Sequence, residues 1–108
     1  MTEIPHIDEW KPWKIPDGHW IDINGDQVWI KDGQRHRIDG PAIIEPDGSK
    51  YWIYQGRMHR TDGPAVVYQD GGMEWRLNGV EFPIFEDWLE YNIYITDTQK
   101  VLLKLKYG

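Results

Sequence analysis

The same set of residues with ionisable side chains occurs twice in this chain. Histidine, arginine and aspartate stand in the order His-Arg-x-Asp at 36–39 and again at 59–62, 23 residues later. An imidazole beside a carboxylate can bind a metal ion or transfer a proton. A catalytic site is rarely built twice in the same form along one chain, whereas a packing contact in a repeat is. We therefore predict structural hydrogen bonds or ion pairs, not catalysis, for His36, Asp39, His59 and Asp62.

The two sets belong to a longer internal repeat. Asn24–Pro46 and Asp47–Gln69 match at a spacing of 23 residues, and a partial third copy runs from Asp70 to about Glu81. A fixed period of this length is typical of a stacked repeat array. Each copy carries one tryptophan in phase, and we predict structural roles for Trp29, Trp52 and Trp75.

Each repeat contains two strand signals separated by turn residues. In the second copy, Lys50–Tyr54 and Ala65–Tyr68 are rich in aromatic and β-branched residues, and Asp-Gly pairs separate one copy from the next. We predict a mainly β fold with a C-terminal α part. Its core is an antiparallel meander of β-hairpin repeats over about Trp20–Leu77, with two strands per repeat and a cap of one or two helices.

Alternation along the third copy indicates which face is buried. Trp75 and Leu77 share one face, and Glu74 and Arg76 share the other, so the tryptophan face should point to the core. Equivalent tryptophans lie two strands apart, or ~9.6 Å, which is too far for direct stacking. A side chain of the intervening strand must separate them, and the candidates are Ala42, Ile44, Ala65 and Val67.

The opposite face of the first two copies is also apolar, which predicts that something covers it. The N-terminal segment offers Ile4, Ile7, Trp10 and Trp13. A second subunit, giving a homodimer, or a partner protein is the alternative. The residues that we predict for protein contacts are Val28, Ile30, Tyr51, Ile53, Tyr54 and Tyr68.

The hydrophobic period changes after Pro83. Apolar residues at 84, 85, 88 and 89 follow a helical spacing, and Asn92 is placed to end that helix. A second helix should begin at Thr96 or Asp97 with a capping box. Its buried stripe is predicted at Val101, Leu102 and Leu105, although alternation through 103–107 is also typical of a strand. We expect one domain, 1–108, made of an N-terminal segment (1–23), the repeats (24–82) and a helical cap (83–108).

The repeat resembles a known family. Trp52-x-x-x-Gly56-x-x-His59, followed by Gly63 and an Asp-Gly pair at 70–71, is similar to the MORN repeat, a β-hairpin unit. His-Arg-x-Asp-Gly-Pro-Ala replaces the His-Gly-x-Gly turn of that family and looks like a variant found in uncharacterised phage, giant-virus and bacterial proteins. The resemblance covers 24 to about 79. It implies a non-catalytic scaffold that binds proteins or self-associates, and a viral or prophage origin.

Composition narrows the remaining functions. The 108 residues include no cysteine and carry a net charge of −6, so we expect no thiolate metal site, no cofactor and no nucleic-acid partner. No apolar run approaches the ~18 residues that span a membrane. Met1–Trp13 lacks the features of a signal peptide, which favours a cytoplasmic location. Ser49, the only serine, lies in an Asp-Gly turn without the context of a catalytic nucleophile, so we do not expect an enzyme.

Two functions remain open. Small size, acidity and many Tyr, Trp and Arg residues favour a protein-binding module, plausibly a phage or prophage accessory protein that inhibits or redirects a host protein. Aromatic-Gly repeats of similar length also occur in choline- and glucan-binding modules, whose exposed rings hold cations or sugars. The rings that could serve this second function are Tyr51, Trp52, Tyr54 and Tyr68.

Overall fold

The protein is mainly antiparallel β, with two helices at its C-terminal end. The computed structural model describes residues 3–8 and 11–108. A 3₁₀ turn at Pro12–Lys14 precedes the first strand. The elements that follow are β1 (Gly18–Ile21), β2 (Gln27–Lys31), β3 (Gln34–Arg35), β4 (Ile43–Ile44), β5 (Lys50–Tyr51), β6 (Ile53–Tyr54), β7 (Arg57–Met58), β8 (Val66–Val67), β9 (Met73–Leu77), β10 (Val80–Phe82), α1 (Phe85–Tyr91) and α2 (Asp97–Tyr107).

The strands form a meander in which the hairpins project from a continuous sheet. The main sheet runs β1-β2-β4-β5-β8-β9-β10, with β3 paired to β2, and β6 and β7 form a separate two-stranded ladder. The predicted strand Lys50–Tyr54 is therefore two strands, because the chain leaves the main sheet at Trp52 to build its hairpin. The long strand of each repeat thus serves both the sheet and a hairpin.

The three repeat tryptophans lie in one row across the sheet, separated by Ala42 and Ala65, two of the four candidates that the sequence offered. The Trp29 N–H donates to the Ala42 carbonyl at 2.9 Å, and the Trp52 N–H donates to the Ala65 carbonyl at 2.7 Å. Both alanines are fully buried, and a larger side chain at either position would meet the rings beside it. The prediction that the tryptophan face points to the core is confirmed for Trp75, which is buried in a hydrophobic core, and wrong for Trp29 and Trp52, which are half-buried.

The other face of the first repeat is covered by the N-terminal segment. Val28 and Ile30 form a small core with Ile7, and Ile15 packs against them. The segment pairs with β1 through hydrogen bonds that join Ile7 and Pro5 to Ile21. The prediction that this segment covers the apolar face is confirmed for Val28 and Ile30 of the first repeat, whereas Tyr51 and Ile53 of the second repeat are not part of this cluster. Trp13 takes no part, since it is 78% exposed, and Trp10, the other predicted tryptophan, lies outside the described residues.

The helices close the end of the array over the third repeat. Trp75 packs against Trp88 at a ring distance of 4.6 Å and against Tyr107 at 5.0 Å. Helix α2 begins with the predicted capping box between Thr96 and Gln99, and Asn92 ends α1. The segment 101–107 is therefore helix and not strand. In the described part of the chain, no helix is long and apolar enough to cross a membrane.

The predicted orientation of α2 is wrong. Leu103 is the residue that α2 buries, where it contacts the cluster around Trp75. The predicted buried stripe, Val101, Leu102 and Leu105, is exposed. Apolar side chains occupy 101, 102, 103 and 105, which spread over about 200° of the helix circumference at 100° per residue. The sequence pattern therefore does not single out one face, and packing on the third repeat selects the side of Leu103.

Candidate binding groove beside the repeat loops

Three equivalent tight turns position the functional surface. Each has a non-glycine residue followed by glycine, both at positive φ, which is the conformation of the type I′ hairpin turn. Glycine adopts it at low cost, and Asp and Asn tolerate it better than most residues do. The turns are Asp32 (φ 51°) with Gly33 (φ 74°), Gln55 (φ 50°) with Gly56 (φ 78°), and Asn78 (φ 50°) with Gly79 (φ 83°).

The repeated histidines link each repeat to the turn of the next. His36 Nδ1 accepts a hydrogen bond from the Gln55 N–H at 2.9 Å, and His59 Nδ1 accepts one from the Asn78 N–H at the same distance. Nδ1 is therefore the acceptor in both rings, which leaves Nε2 as the nitrogen that can donate. These contacts give each histidine a structural part in stacking the hairpins.

The link at His59 predicts a loss of stability in acid. Burial lowers the pKa of His59 below its ordinary value of 6.5. Below about pH 6.5 the unfolded chain therefore takes up a proton that the folded chain refuses. The stabilising contribution is complete above that pH and is lost as the pH falls through the folded-state pKa. We expect the free energy of unfolding, measured with urea at a series of pH values, to decrease as the pH falls below 6.5.

His59→Asn is the matched variant for this experiment, because its side-chain oxygen can accept the same N–H without titrating near neutral pH. The variant should lose part of the acid dependence. An unchanged pH profile would contradict the assigned role, as would stoichiometric zinc binding that His59→Ala removes.

The arginine of the motif lies between a tryptophan and a glycine of its own repeat. Arg60 Cζ stands 3.9 Å from the centre of the Trp52 ring. Its guanidinium donates to Asp62 at 2.9 Å and to the Pro64 carbonyl at 3.1 Å. A Cβ atom on Gly63 would come within 2.7 Å of Arg60 Cζ. Only glycine leaves room for this stack.

The first repeat builds the same stack. Arg37 Cζ lies 4.0 Å from the Trp29 ring centre and its guanidinium donates to Asp39 and to the Pro41 carbonyl. Trp29 also stacks on His19, at a ring distance of 3.9 Å. The repeated geometry gives a role to each residue that the two motifs share. The histidine joins the next hairpin. Arginine, aspartate, glycine and proline together form the stack, and alanine separates the tryptophans in the row.

A groove of about 730 Å³ runs between the two motif loops and the helical cap. Trp52 and His59 contribute to its lining from the second repeat, and Ile38 from the first. Tyr94, from the segment between the helices, contributes on the cap side, where its hydroxyl accepts from Asn78 Nδ2 at 2.7 Å. The volume lies within the range of ~300–1,000 Å³ found for ligand sites.

A row of rings follows the side of this groove. His36 and Tyr54 lie 4.7 Å apart, Tyr54 and His59 6.1 Å apart, and His59 and Tyr94 5.1 Å apart. Tyr54 and Tyr94 are both exposed. A second groove, of about 570 Å³ and more polar, lies on the hairpin side and shares Ile38 and Tyr54 with the first. The rings therefore present a continuous aromatic edge to solvent.

The predicted protein-contact residues are distributed over three environments. Tyr54 lines both grooves. Tyr51 and Tyr68 lie on the opposite face of the sheet, where their rings meet edge to face at 6.3 Å. The remaining three, Val28, Ile30 and Ile53, are buried within the fold. They are therefore not available to a partner.

The tyrosines of the opposite face already use their hydroxyl groups. Tyr51 donates to Glu45, and Tyr68 donates to Glu74. Each hydrogen bond to a carboxylate raises the pKa of the tyrosine above its ordinary value. The pKa of Glu74 is lowered, chiefly by the hydrogen bond from the Tyr68 hydroxyl and to a smaller extent by Arg76. This face is consequently held together by its own contacts.

Ile38 and Tyr94 are among the groove residues that sequence reasoning missed. The signal for Ile38 was present, because 38 is the one position inside the shared motif that differs, with Thr61 in the second copy. Tyr94 gave no such signal. Among residues 3–8 and 11–108, no three His, Asp or Glu side chains are grouped to hold a metal. Comparison with protein-family models, with curated proteins and with solved structures finds no match for this chain.

Proposed function

We propose that this protein is a non-catalytic protein-binding module, and that the groove beside Ile38 and Tyr54 receives a segment of its partner. The partner is a cytoplasmic cellular protein, or a host protein where the chain comes from a phage or prophage, which the module inhibits or redirects. The MORN-like resemblance of the repeat agrees with a binding scaffold. Fold resemblance is weak support for function, so the proposal depends on the groove itself.

The exposure of Ile38 is the observation that carries the proposal. Its side chain is 80% exposed at the rim of the groove, between Arg37 and Asp39, which are both engaged in the stack. The fold does not require an apolar residue here, since the second repeat has Thr61 at this position. An exposed aliphatic residue beside tyrosine and tryptophan rings is the composition of an interface centre, where burial against a partner is favourable.

The tryptophan rings of the repeats are unfavourably placed for carbohydrate or choline binding. Those ligands need free ring faces. Arg37 and His19 both lie against the Trp29 ring, and Arg60 lies against Trp52. The chain's own guanidinium groups thus take positions on these rings that a ligand cation or sugar would need.

Ile38→Glu should abolish capture of the partner while leaving the fold intact. The charge would have to be buried against the apolar contact, so we expect affinity to fall by tenfold or more, about 1.4 kcal/mol or above. The measurement is affinity capture from a bacterial lysate followed by titration of the captured protein. Tyr54→Ala should weaken binding in the same direction.

Ile23→Glu is the matched control, because Ile23 is equally exposed, at 80%, in a turn outside the groove. A protein that is retained by wild type and by Ile23→Glu, but lost by Ile38→Glu, supports the proposal. Equal retention by wild type, Ile23→Glu and Ile38→Glu would contradict the proposal. Saturable quenching of tryptophan fluorescence by choline or a glycan, with no protein retained, would replace it with the carbohydrate function.

A further inference from the structure

Helix α2 presents an apolar stripe to solvent on the side away from the core. Val101 is 58% exposed, Leu102 61% and Leu105 80%, whereas Leu103 is buried. At 100° per residue, the three exposed side chains form one face whose centre lies roughly opposite Leu103. Such a face on a small domain is typical of a surface that contacts another molecule. It does not belong to the groove, since none of the three exposed residues lines it.

The charges along one flank of this stripe indicate what it contacts. Asp97 and Lys104 are seven residues apart, which is about 20° short of two full turns, so they lie on the same flank. Asp97 is in the first turn of α2 and Lys104 is in the last. Both are exposed, and within the described part of the chain neither side chain forms an ion pair.

We propose that the stripe pairs with the same stripe of a second copy of this chain, in an antiparallel arrangement about a two-fold axis. In an antiparallel helix pair, each flank faces the same flank of the other helix, running in the opposite direction. Asp97 of one copy then faces Lys104 of the second copy, and the reverse contact forms with it. The flank is thus complementary to itself, which a two-fold contact requires.

Two further features agree with this arrangement. Antiparallel packing opposes the two helix dipoles, so that the negative end of each lies beside the positive end of the other. Val101 falls near the two-fold axis, where it meets its own copy, and Leu102 and Leu105 surround it. Three side chains per copy bury far less than the ~800 Å² per partner of a standard interface, so the dimer belongs to the weak class.

The test uses single charge reversals alone and in mixture. Sedimentation equilibrium from about 10 μM to 1 mM, the range expected of small interfaces, should show wild type in monomer–dimer exchange. Asp97→Lys alone and Lys104→Glu alone each place like charges in both contacts and should raise the dissociation constant by about tenfold or more. An equimolar mixture of these two variants restores both opposite-charge contacts and should dimerise like wild type.

Leu105→Glu should be monomeric throughout this range, whereas Ile23→Glu, with the same exposure outside the stripe, should dimerise normally. Circular dichroism checks that all variants are folded. A wild type that stays monomeric to 1 mM would overturn the proposal. So would a dimer that Leu105→Glu leaves intact, or single variants whose mixture does not recover. A dimer that only Ile38→Glu disrupts would place self-association at the groove and overturn it as well.

Discussion

Trp88→Ala should cost about 3–5 kcal/mol of the free energy of unfolding, the largest effect that we expect for a single side chain. Trp88 is fully buried. Its ring lies 4.6 Å from that of Trp75 and 6.0 Å from that of Phe85, and its Nε1 donates to the Arg76 carbonyl at 3.4 Å. Removal leaves a cavity between the third repeat and the cap and exposes a carbonyl group. The stability of a domain this size is about 5–15 kcal/mol, so the variant should be close to unfolding.

Urea unfolding followed by far-ultraviolet circular dichroism measures this effect without depending on the tryptophan that is removed. Trp13→Ala is the control, because Trp13 is largely exposed and should change stability by less than about 0.5 kcal/mol. A loss below 1 kcal/mol in Trp88→Ala would mean that the cap does not stabilise the array, contrary to the packing of α1 on Trp75.

The sequence predicts much of the fold because its local signals agree. The 23-residue period locates the hairpins, and the alternation in β9 assigns Trp75 to the core. The strand spacing requires a side chain between successive tryptophans, and Ala42 and Ala65 are two of the four candidates that it left open. Capping chemistry places the start of α2 at Thr96. These features depend on nearest neighbours in the chain or on equivalent positions in adjacent repeats, which a sequence pattern contains directly.

The parts that the sequence misplaces depend on contacts between distant segments. Leu103 and Leu105 are equally apolar, and only the position of the third repeat decides that Leu103 is buried. Val28 and Ile53 are apolar on a face that sequence alone could assign either to a partner or to the fold. Arg60 could be recognised as an ion-pair partner of Asp62, but its position over Trp52 requires the folded loop.

The groove could be predicted least, since its residues come from separate parts of the chain. Ile38 belongs to the first repeat, Trp52 to the second and Tyr94 to the cap. No spacing rule relates these positions. The variable position of the motif was the one usable indication, because a residue that the architecture does not need is free to serve binding.

Gly63→Ala should destabilise the protein by about 1–2 kcal/mol, although it adds only one methyl group. The new Cβ would lie 2.7 Å from Arg60 Cζ, so the guanidinium must shift from its place on the Trp52 ring. The stack contributes about 0.5–2 kcal/mol, and the exposed ion pair with Asp62 adds less than about 1 kcal/mol, part of which the flexible arginine retains after the shift. Gly63 has no positive φ, so the cost comes from the lost stack and not from backbone strain.

The claim that the repeated motif is architecture is tested most directly by a double-mutant cycle on Arg60 and Gly63, measured by urea unfolding at pH 7.5. Our account predicts that Gly63→Ala costs about 1 kcal/mol or more in the wild-type background but less than about 0.5 kcal/mol in Arg60→Ala, where the methyl group no longer meets a guanidinium. Equal costs of Gly63→Ala in the two backgrounds would show that Arg60 is not held against Trp52 and Gly63, and would contradict the structural role assigned to the motif.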